Sequence, residues 1–302
     1  MNILIFGSGA IGSLFGALLS ENSNVILYGR RAHIEAIKKK GLNIKGNTIF
    51  NKKLNAFYNT KNIERNIDLI IITVKSYDTN RSIKIIENII NKKTIIMTIQ
   101  NGLDNIEKIN KQFKNNKIIA GITTHGSIFD KPGKIIHTGI GETVLGEIDG
   151  NINAILKRIV KLFNESGIKT KYSNNIKKEI WIKTIINSSI NPLTTIFNCK
   201  NGYLNENPIL HNIVKKICFE SVEIANAEGL DLKYDDILNK TNKVINSTYE
   251  NYSSMLQSYN KNKKTEINSI NGKIIEIGKK HNVNTNLNEI LILLIEKNCF
   301  NS

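Results

Sequence analysis

Asn2-Ile3-Leu4-Ile5-Phe6-Gly7-Ser8-Gly9-Ala10-Ile11-Gly12 opens the chain with a short apolar run and then a G-x-G-x-x-G spacing. The apolar run reads as a buried strand, and Ser13 to Glu21 as the helix that follows it. In that strand–turn–helix setting the three glycines have separate tasks. Gly7 permits a tight turn, Gly9 lets the backbone approach a pyrophosphate, and Gly12 lets helix and strand pack closely. Free N–H groups and the helix dipole then hold phosphates. Ser8, Ala10 and Ile11 complete the loop as candidate cofactor contacts. A glycine-rich turn without a ligand is the bland alternative, and the strand before it and helix after it speak against that.

Outward from this loop, strands alternate with helices. Val25–Tyr28, Asp68–Val74, Thr94–Ile99 and Lys117–Ile122 read as strands, and Ile83–Ile90 as a helix. Lys134–His137 and Glu142–Glu147 look like added strands. A helix over Asn153–Glu165 and a strand near Ile168–Tyr172 close this half. The alternation predicts an α/β chain with a parallel, Rossmann-type sheet over residues 1–172. From Lys177 to Phe300 the periodicity is helical, so residues 173–302 are expected to form an all-helical second domain. Breaks are expected at Asn191-Pro192, Asn201-Gly202, Gly229 and Asn271-Gly272.

The 302 residues carry 42 Lys and Arg against 26 Asp and Glu, a net charge of +16. The lysines are scattered among Asn and Ile with no Arg-rich block, which predicts a generally basic surface and no nucleic-acid partner. Glycines interrupt the uncharged stretch Ile3–Leu19, and it lacks a basic leader, so it does not read as an export signal. No segment reaches the roughly 18 apolar residues of a membrane span. Cys199, Cys218 and Cys299 have no metal-ligand spacing. No metal is expected, and a reducing, cytoplasmic setting fits.

The second strand runs Val25-Ile26-Leu27-Tyr28-Gly29-Arg30-Arg31. An NAD site usually places an acid at its end to bind the ribose hydroxyls. Arg30 stands there instead, and a guanidinium suits the 2′-phosphate of NADP. Plain surface charge is the competing reading. Ligands in such sheets collect beyond the carboxyl ends of the strands. Lys75, Asn101 and Ser127 lie in loops that follow three of them and are expected to face the cofactor.

In Glu179–Asn191 (EIWIKTIINSSIN), Lys183, Asn187 and Asn191 recur every fourth residue on one helical face among isoleucines and Trp181. This stripe is either the solvent face or an interior stripe facing a cleft. In the second case the apolar surround suits Lys183 to proton transfer. Pro192 is expected to end or kink the helix at Asn191. A second polar cluster holds Asn251, Ser254 and, further on, Glu266. His125 and His137 are alternative general acids, read here as structural.

These residues carry a resemblance over essentially the whole chain. GSGAIG (7–12), TVKS around Lys75, QNG (100–102), TTHG (123–126), EIWIKTIINSSINPLTTIFNCKNG (179–202), SSMLQ from Ser253 and TEI-x-x-ING (265–272) resemble the ketopantoate reductase (2-dehydropantoate 2-reductase) family. The resemblance implies a Rossmann domain, a helical domain and an active site between them. It also implies NADPH-dependent reduction of 2-dehydropantoate to (R)-pantoate, a step toward pantothenate and coenzyme A. On that resemblance Lys183 is the general acid, and Asn101, Asn187, Asn191, Asn201, Asn251 and Ser254 line the substrate pocket with it. Glu266 touches the cofactor or supports Lys183, Arg30 takes the 2′-phosphate, and Lys75, Asn101 and Ser127 lie near the cofactor. Asn268 stands where an Asp is common, and Asp104 where a second Gly often follows QNG. The rivals are an NADP-dependent reductase of another 2-oxo acid and a non-catalytic NADPH-sensing regulator. The chain is expected to be a monomer or homodimer.

Overall fold

A computed structural model describes residues 1–298. Cys299 and Phe300, where the helical reading ends, lie outside the described residues. By packing, Met1–Gln100 and Asn105–Glu179 form one unit, and Asn101–Asp104 with the chain from Ile180 onward form a second.

The first unit is built on β1 (Asn2–Phe6). Ile3 and Ile5 enter one apolar cluster with Leu14, Phe15 and Phe163, while Leu4 and Phe6 enter another with Ile83, Ile86 and Ile109. A strand apolar on both faces needs cover on both, which explains the uninterrupted run. In chain order the unit continues through α1 (Ala10–Leu19), β2 (Asn24–Tyr28), α2 (Arg31–Lys40), β3 (Leu42–Gly46), β4 (Phe50–Lys52), β5 (Asn55–Phe57) and β6 (Leu69–Ile72). Next come α3 (Thr79–Ile86), β7 (Ile95–Thr98), α4 (Asn105–Gln112), β8 (Ile118–Thr123), β9 (Gly126–Lys131) and β10 (Lys134–Gly139). It closes with β11 (Thr143–Glu147), α5 (Ala154–Glu165) and β12 (Thr170–Tyr172).

The main sheet has the order β12-β11-β8-β7-β6-β1-β2-β5. All pairings are parallel except β11 with β8. The strand order reverses at β1, with β2 on one side and β6 on the other. The loop after β1 therefore opens at the switch point where such sheets bind ligands.

A second sheet, β4-β3-β10-β9, lies outside what the sequence reading described. Lys134–His137 forms a strand as read, and it pairs there with β3 and β9. Leu42–Gly46 does alternate, with Leu42 and Ile44 buried and Asn43 and Lys45 not, but over so few residues that only the pairing identifies the strand.

The second unit is helical. It contains most of α6 (Ile176–Ile196), α7 (Tyr203–Glu206), α8 (Pro208–Ala227), α9 (Tyr234–Ser247), α10 (Ser254–Tyr259), a π-helical turn at Asn268–Gly272, α11 (Lys273–Lys280) and α12 (Asn286–Asn298). Of the two outcomes expected at Asn191, an end or a kink, the end is ruled out: the helix runs through Pro192 to Ile196. A proline inside a helix leaves the carbonyl four residues earlier without its backbone donor. Here that carbonyl is Ser188 O, and Asn271 Nδ2 donates to it at 3.3 Å. Asn271 also donates to Asn288 Oδ1 at 2.9 Å, and Asn288 Nδ2 to Glu220 Oε1 at 2.7 Å. Glu220 in turn accepts from Leu287 N and Asn288 N and caps the start of α12. This buried polar network meets the carbonyl that the proline leaves without a backbone donor.

Candidate active site

Gly7 N and Ser8 N both donate to Tyr28 O at 2.9 Å, so the loop after β1 turns over the end of β2. Thr73, just past β6, donates to Gly7 O at 2.7 Å. A side chain at residue 12 would place Cβ 2.3 Å from Gly7 O and 2.5 Å from Thr73 Oγ1, so only glycine fits. Gly9 is the N-cap of α1, with no side-chain cap, and the first turn holds no acid. Its amides are thus the donor set an anionic pyrophosphate requires. Ser8 Oγ is buried without a hydrogen-bond partner, and a Cβ at Gly29 would come within 2.0 Å of it. A buried hydroxyl left unsatisfied beside this loop fits a polar ligand. The residues present therefore suit a dinucleotide. Ala10 and Ile11 lie in the first turn of α1, as read from sequence.

Arg30 is exposed and forms the N-cap of α2 in extended geometry (φ −67°, ψ 141°). Arg31 differs: its guanidinium lies 5.3 Å from the Tyr58 ring centroid. A cation held on an aromatic face leaves Arg30 as the guanidinium at the strand end with no such hold. Lys75 is half-buried and precedes a 3-10 turn, Ser76–Asp78. Gln100 Nε2 donates to Val74 O and Thr79 Oγ1, each at 2.9 Å, and so ties the exit of β7 to the Lys75 segment. Ser127 is a correction. It lies in β9, paired with His137, and not in a loop. Its Oγ is buried without a hydrogen-bond partner.

In the second unit, Lys183 and Asn187 are half-buried on an otherwise buried stretch of α6, and Asn191 is buried. The stripe is therefore not an open solvent face. Ser253, the N-cap of α10, accepts from Leu256 N, and its Oγ lies 2.8 Å from Thr194 Oγ1, which ties α10 to α6. Asn201 N donates to Asn251 O at 3.0 Å, and Asn201 Nδ2 to Thr248 Oγ1 at 2.8 Å. Asn201 is 7% exposed with an unpartnered Oδ1, whereas Asn251 and Ser254 are exposed.

Glu266 is 7% exposed and sits just before the π-helical turn, a rare geometry enriched at functional sites. Its carbonyl accepts from Ser269 N and Ile270 N. The Asn101 loop docks on the same turn: Leu103 N donates to Ser269 O at 3.2 Å. Gly102 has φ +96°, and a Cβ there would meet Ser269 O at 2.6 Å. Asn101 and Glu266 thus come from segments that the structure joins. Asn268 is exposed, so this departure from the family pattern points to solvent. Asp104 lies in the same docked loop.

Burial pulls His33 and His125 down to about 4, so both rings are neutral near pH 7. Burial also pushes the Cys218 thiol up to about 11, far from a thiolate nucleophile. Nothing in the sequence singles out Thr73, whose bond to Gly7 O joins segments 66 residues apart. Among the described residues no group of three or more His, Cys, Asp or Glu could hold a metal ion, and no helix is long and apolar enough to cross a membrane.

Residues 3–150 match the family model described as "Ketopantoate reductase PanE/ApbA", and residues 175–298 match "Ketopantoate reductase PanE/ApbA C terminal". The chain belongs to the ketopantoate reductase family. It is 39% identical to a 2-dehydropantoate 2-reductase of Pyrococcus abyssi, over 98% of this chain and 97% of that one. It is 35% identical to one of Aquifex aeolicus, over 100% and 98%. Among solved structures, a 2-dehydropantoate 2-reductase from Geobacter metallireducens is similar with a TM-score of 0.90 at 26% identity, covering 98% of this chain and 99% of that one. A ternary complex of D-mandelate dehydrogenase with NADH and anilino(oxo)acetate gives 0.94 at 27%, covering 100% and 99%. The α/β fold with a helical C-terminal half is that of the family.

Proposed function

We propose that this family member reduces 2-dehydropantoate to (R)-pantoate with NADPH, a step toward pantothenate and coenzyme A. The observation that carries this reading is the match along the whole chain to relatives named 2-dehydropantoate 2-reductase. Bound NADPH supplies a hydride to the C2 ketone. The uncapped start of α1 and the Ser8 hydroxyl suit its pyrophosphate and ribose, and Arg30 suits its 2′-phosphate.

Lys183, as an ammonium, hydrogen-bonds the C2 carbonyl oxygen, stabilises the developing alkoxide and gives it a proton. Asn101, Asn187, Asn191, Asn201, Asn251 and Ser254 orient the substrate without adding charge, and Glu266 supports the site. Lys75 and Ser127 stand near the cofactor. A cytoplasmic monomer or homodimer with no nucleic-acid partner completes the reading; Cys199 and Cys218 are free thiols, as a reducing compartment would keep them.

The similarity to a D-mandelate dehydrogenase favours one second reading, reduction of an aryl 2-oxo acid. NADPH oxidation with 2-dehydropantoate, an aryl 2-oxo acid and a straight-chain 2-oxo acid tests both. Highest kcat/KM on 2-dehydropantoate is expected. A higher value on the aryl acid selects the second reading, and no turnover with any of them rejects both.

A further inference from the structure

A run of hydrogen bonds in the first unit joins the β9–β10 turn to the glycine-rich loop. Gly133 N, in that turn, donates to His33 Nδ1 at 2.9 Å. That nitrogen accepts, so the ring proton of neutral His33 sits on Nε2. Nε2 lies 3.0 Å from Ser13 Oγ. The Ser13 hydroxyl has one proton, and it goes to Ser8 O at 3.1 Å. Ser13 must then accept from His33, and every donor and acceptor along the path has one consistent role.

Both side chains are enclosed, His33 at 3% exposure and Ser13 at 0%. The His33 ring also lies against Phe129, with centroids 4.8 Å apart. Burial keeps the ring neutral, as the donor pattern requires. His33 N donates to Arg30 O, so the histidine stands one turn into the helix that Arg30 begins. Ser13 N donates to Gly9 O, so the serine belongs to the loop's own helix.

We propose that His33, acting through Ser13, is a positioning residue for the nucleotide cofactor. It couples α2, whose N-cap is Arg30, to the Ser8–Gly9 peptide. With Ser8 O held on a buried hydroxyl, that carbonyl does not turn toward an anionic phosphate, where it would repel. The ribose-phosphate contact of Arg30 and the pyrophosphate contacts of the loop are thereby set in one register. This rests on the NADPH reading above.

The test is a fluorescence titration of NADPH against the wild type, His33→Asn, His33→Gln and Ser13→Ala, with a thermal melt and kcat for each. An Asn amide can still accept from Gly133 N but falls short of Ser13. A Gln amide carries a donor near the place of Nε2. His33→Asn and Ser13→Ala should weaken NADPH binding about three- to tenfold, the share of one buried hydrogen bond. His33→Gln should restore most of the loss, and kcat at saturating NADPH should stay within about twofold, since only cofactor binding changes. Wild-type affinity in Ser13→Ala overturns the proposal, and so does equal weakening by Asn and Gln, which would mean that the ring only fills space. A wild type that binds no NADPH rejects the cofactor reading itself, before any variant is compared.

Discussion

His125 Nδ1 lies 3.2 Å from His137 Nε2, and both rings are buried in the first unit. His137 Nε2 also lies 2.9 Å from Gly139 O, which can only accept, so this nitrogen carries a proton. With His137 neutral, its Nδ1 accepts from Thr48 Oγ1 at 2.7 Å. His125 Nδ1 can accept from the same Nε2–H, so the contacts fit two neutral rings. A second charge here would meet burial and its neighbour, and His125 is held down to about 4 by these two causes in that order. The pair is therefore poorly suited to deliver a proton at neutral pH.

Acid sensitivity follows from the same rings. His33 and His125 titrate near 4 in the fold, against 6.5 for an ordinary histidine. Between those values the unfolded chain binds more protons than the folded one, so stability is fully present above 6.5 and falls as pH drops toward 4. The slope is about 1.4 kcal/mol per pH unit for each ring in the middle of the window. Urea melts near pH 7 and near pH 5 should show the loss, and His125→Gln should remove about half of the histidine share, His33 keeping the rest. An unchanged pH profile in that variant would show that carboxylates, not this ring, set the acid limit.

Asn271 is expected to be worth more than an ordinary buried amide because it serves the carbonyl that Pro192 leaves without a donor. Asn271→Ala should cost about 1–3 kcal/mol, the range for an unsatisfied buried acceptor. Adding Pro192→Ala restores a backbone N–H and should recover part of that cost. A double-mutant cycle by chemical denaturation measures the coupling, and strict additivity would separate the two residues.

Arg30 and Arg31 should behave differently despite being neighbours. Arg30→Ala should lower the preference for NADPH over NADH by roughly ten- to a hundredfold, the worth of about 1.5–3 kcal/mol for a charge-assisted bond. Arg31→Ala loses its stacking on Tyr58 and should change the preference by less than about threefold, as an exposed cation–π contact is weak. The ratio of kcat/KM for the two cofactors is the readout. Equal use of both by the wild type would overturn the phosphate assignment.

Lys183→Ala should lower kcat by about 10²–10⁴, the usual share of a positioned general acid. NADPH affinity should stay nearly intact, since the proposed phosphate contacts lie on the glycine-rich loop and Arg30. Turnover with 2-dehydropantoate and cofactor Kd by fluorescence separate the two effects. Glu266→Ala should act in the same direction, less strongly. A Lys183→Ala enzyme within about threefold of wild type would assign the proton to another group.

What the sequence determined by itself were the features that act over a few residues. The run Ile3–Phe6 is apolar at every position and followed by a glycine-rich turn, which was legible as a short buried strand. The glycine spacing required a loop at its end, and the absence of an acid before Arg30 set the expectation of NADP that the cofactor comparison above tests. The helical character after Ser173 was equally local. Tertiary structure decided the rest, because its causes lie far apart in the chain. Ser127 became a strand residue only through pairing with His137. The Ser188 carbonyl that Pro192 leaves without a backbone donor is met by Asn271, 83 residues further on. The docking of the Asn101 loop on Ser269 and the reach of Gly133 to His33 across 100 residues obey the same rule. A buried polar group must find a partner, and nothing in its own neighbourhood says where that partner is.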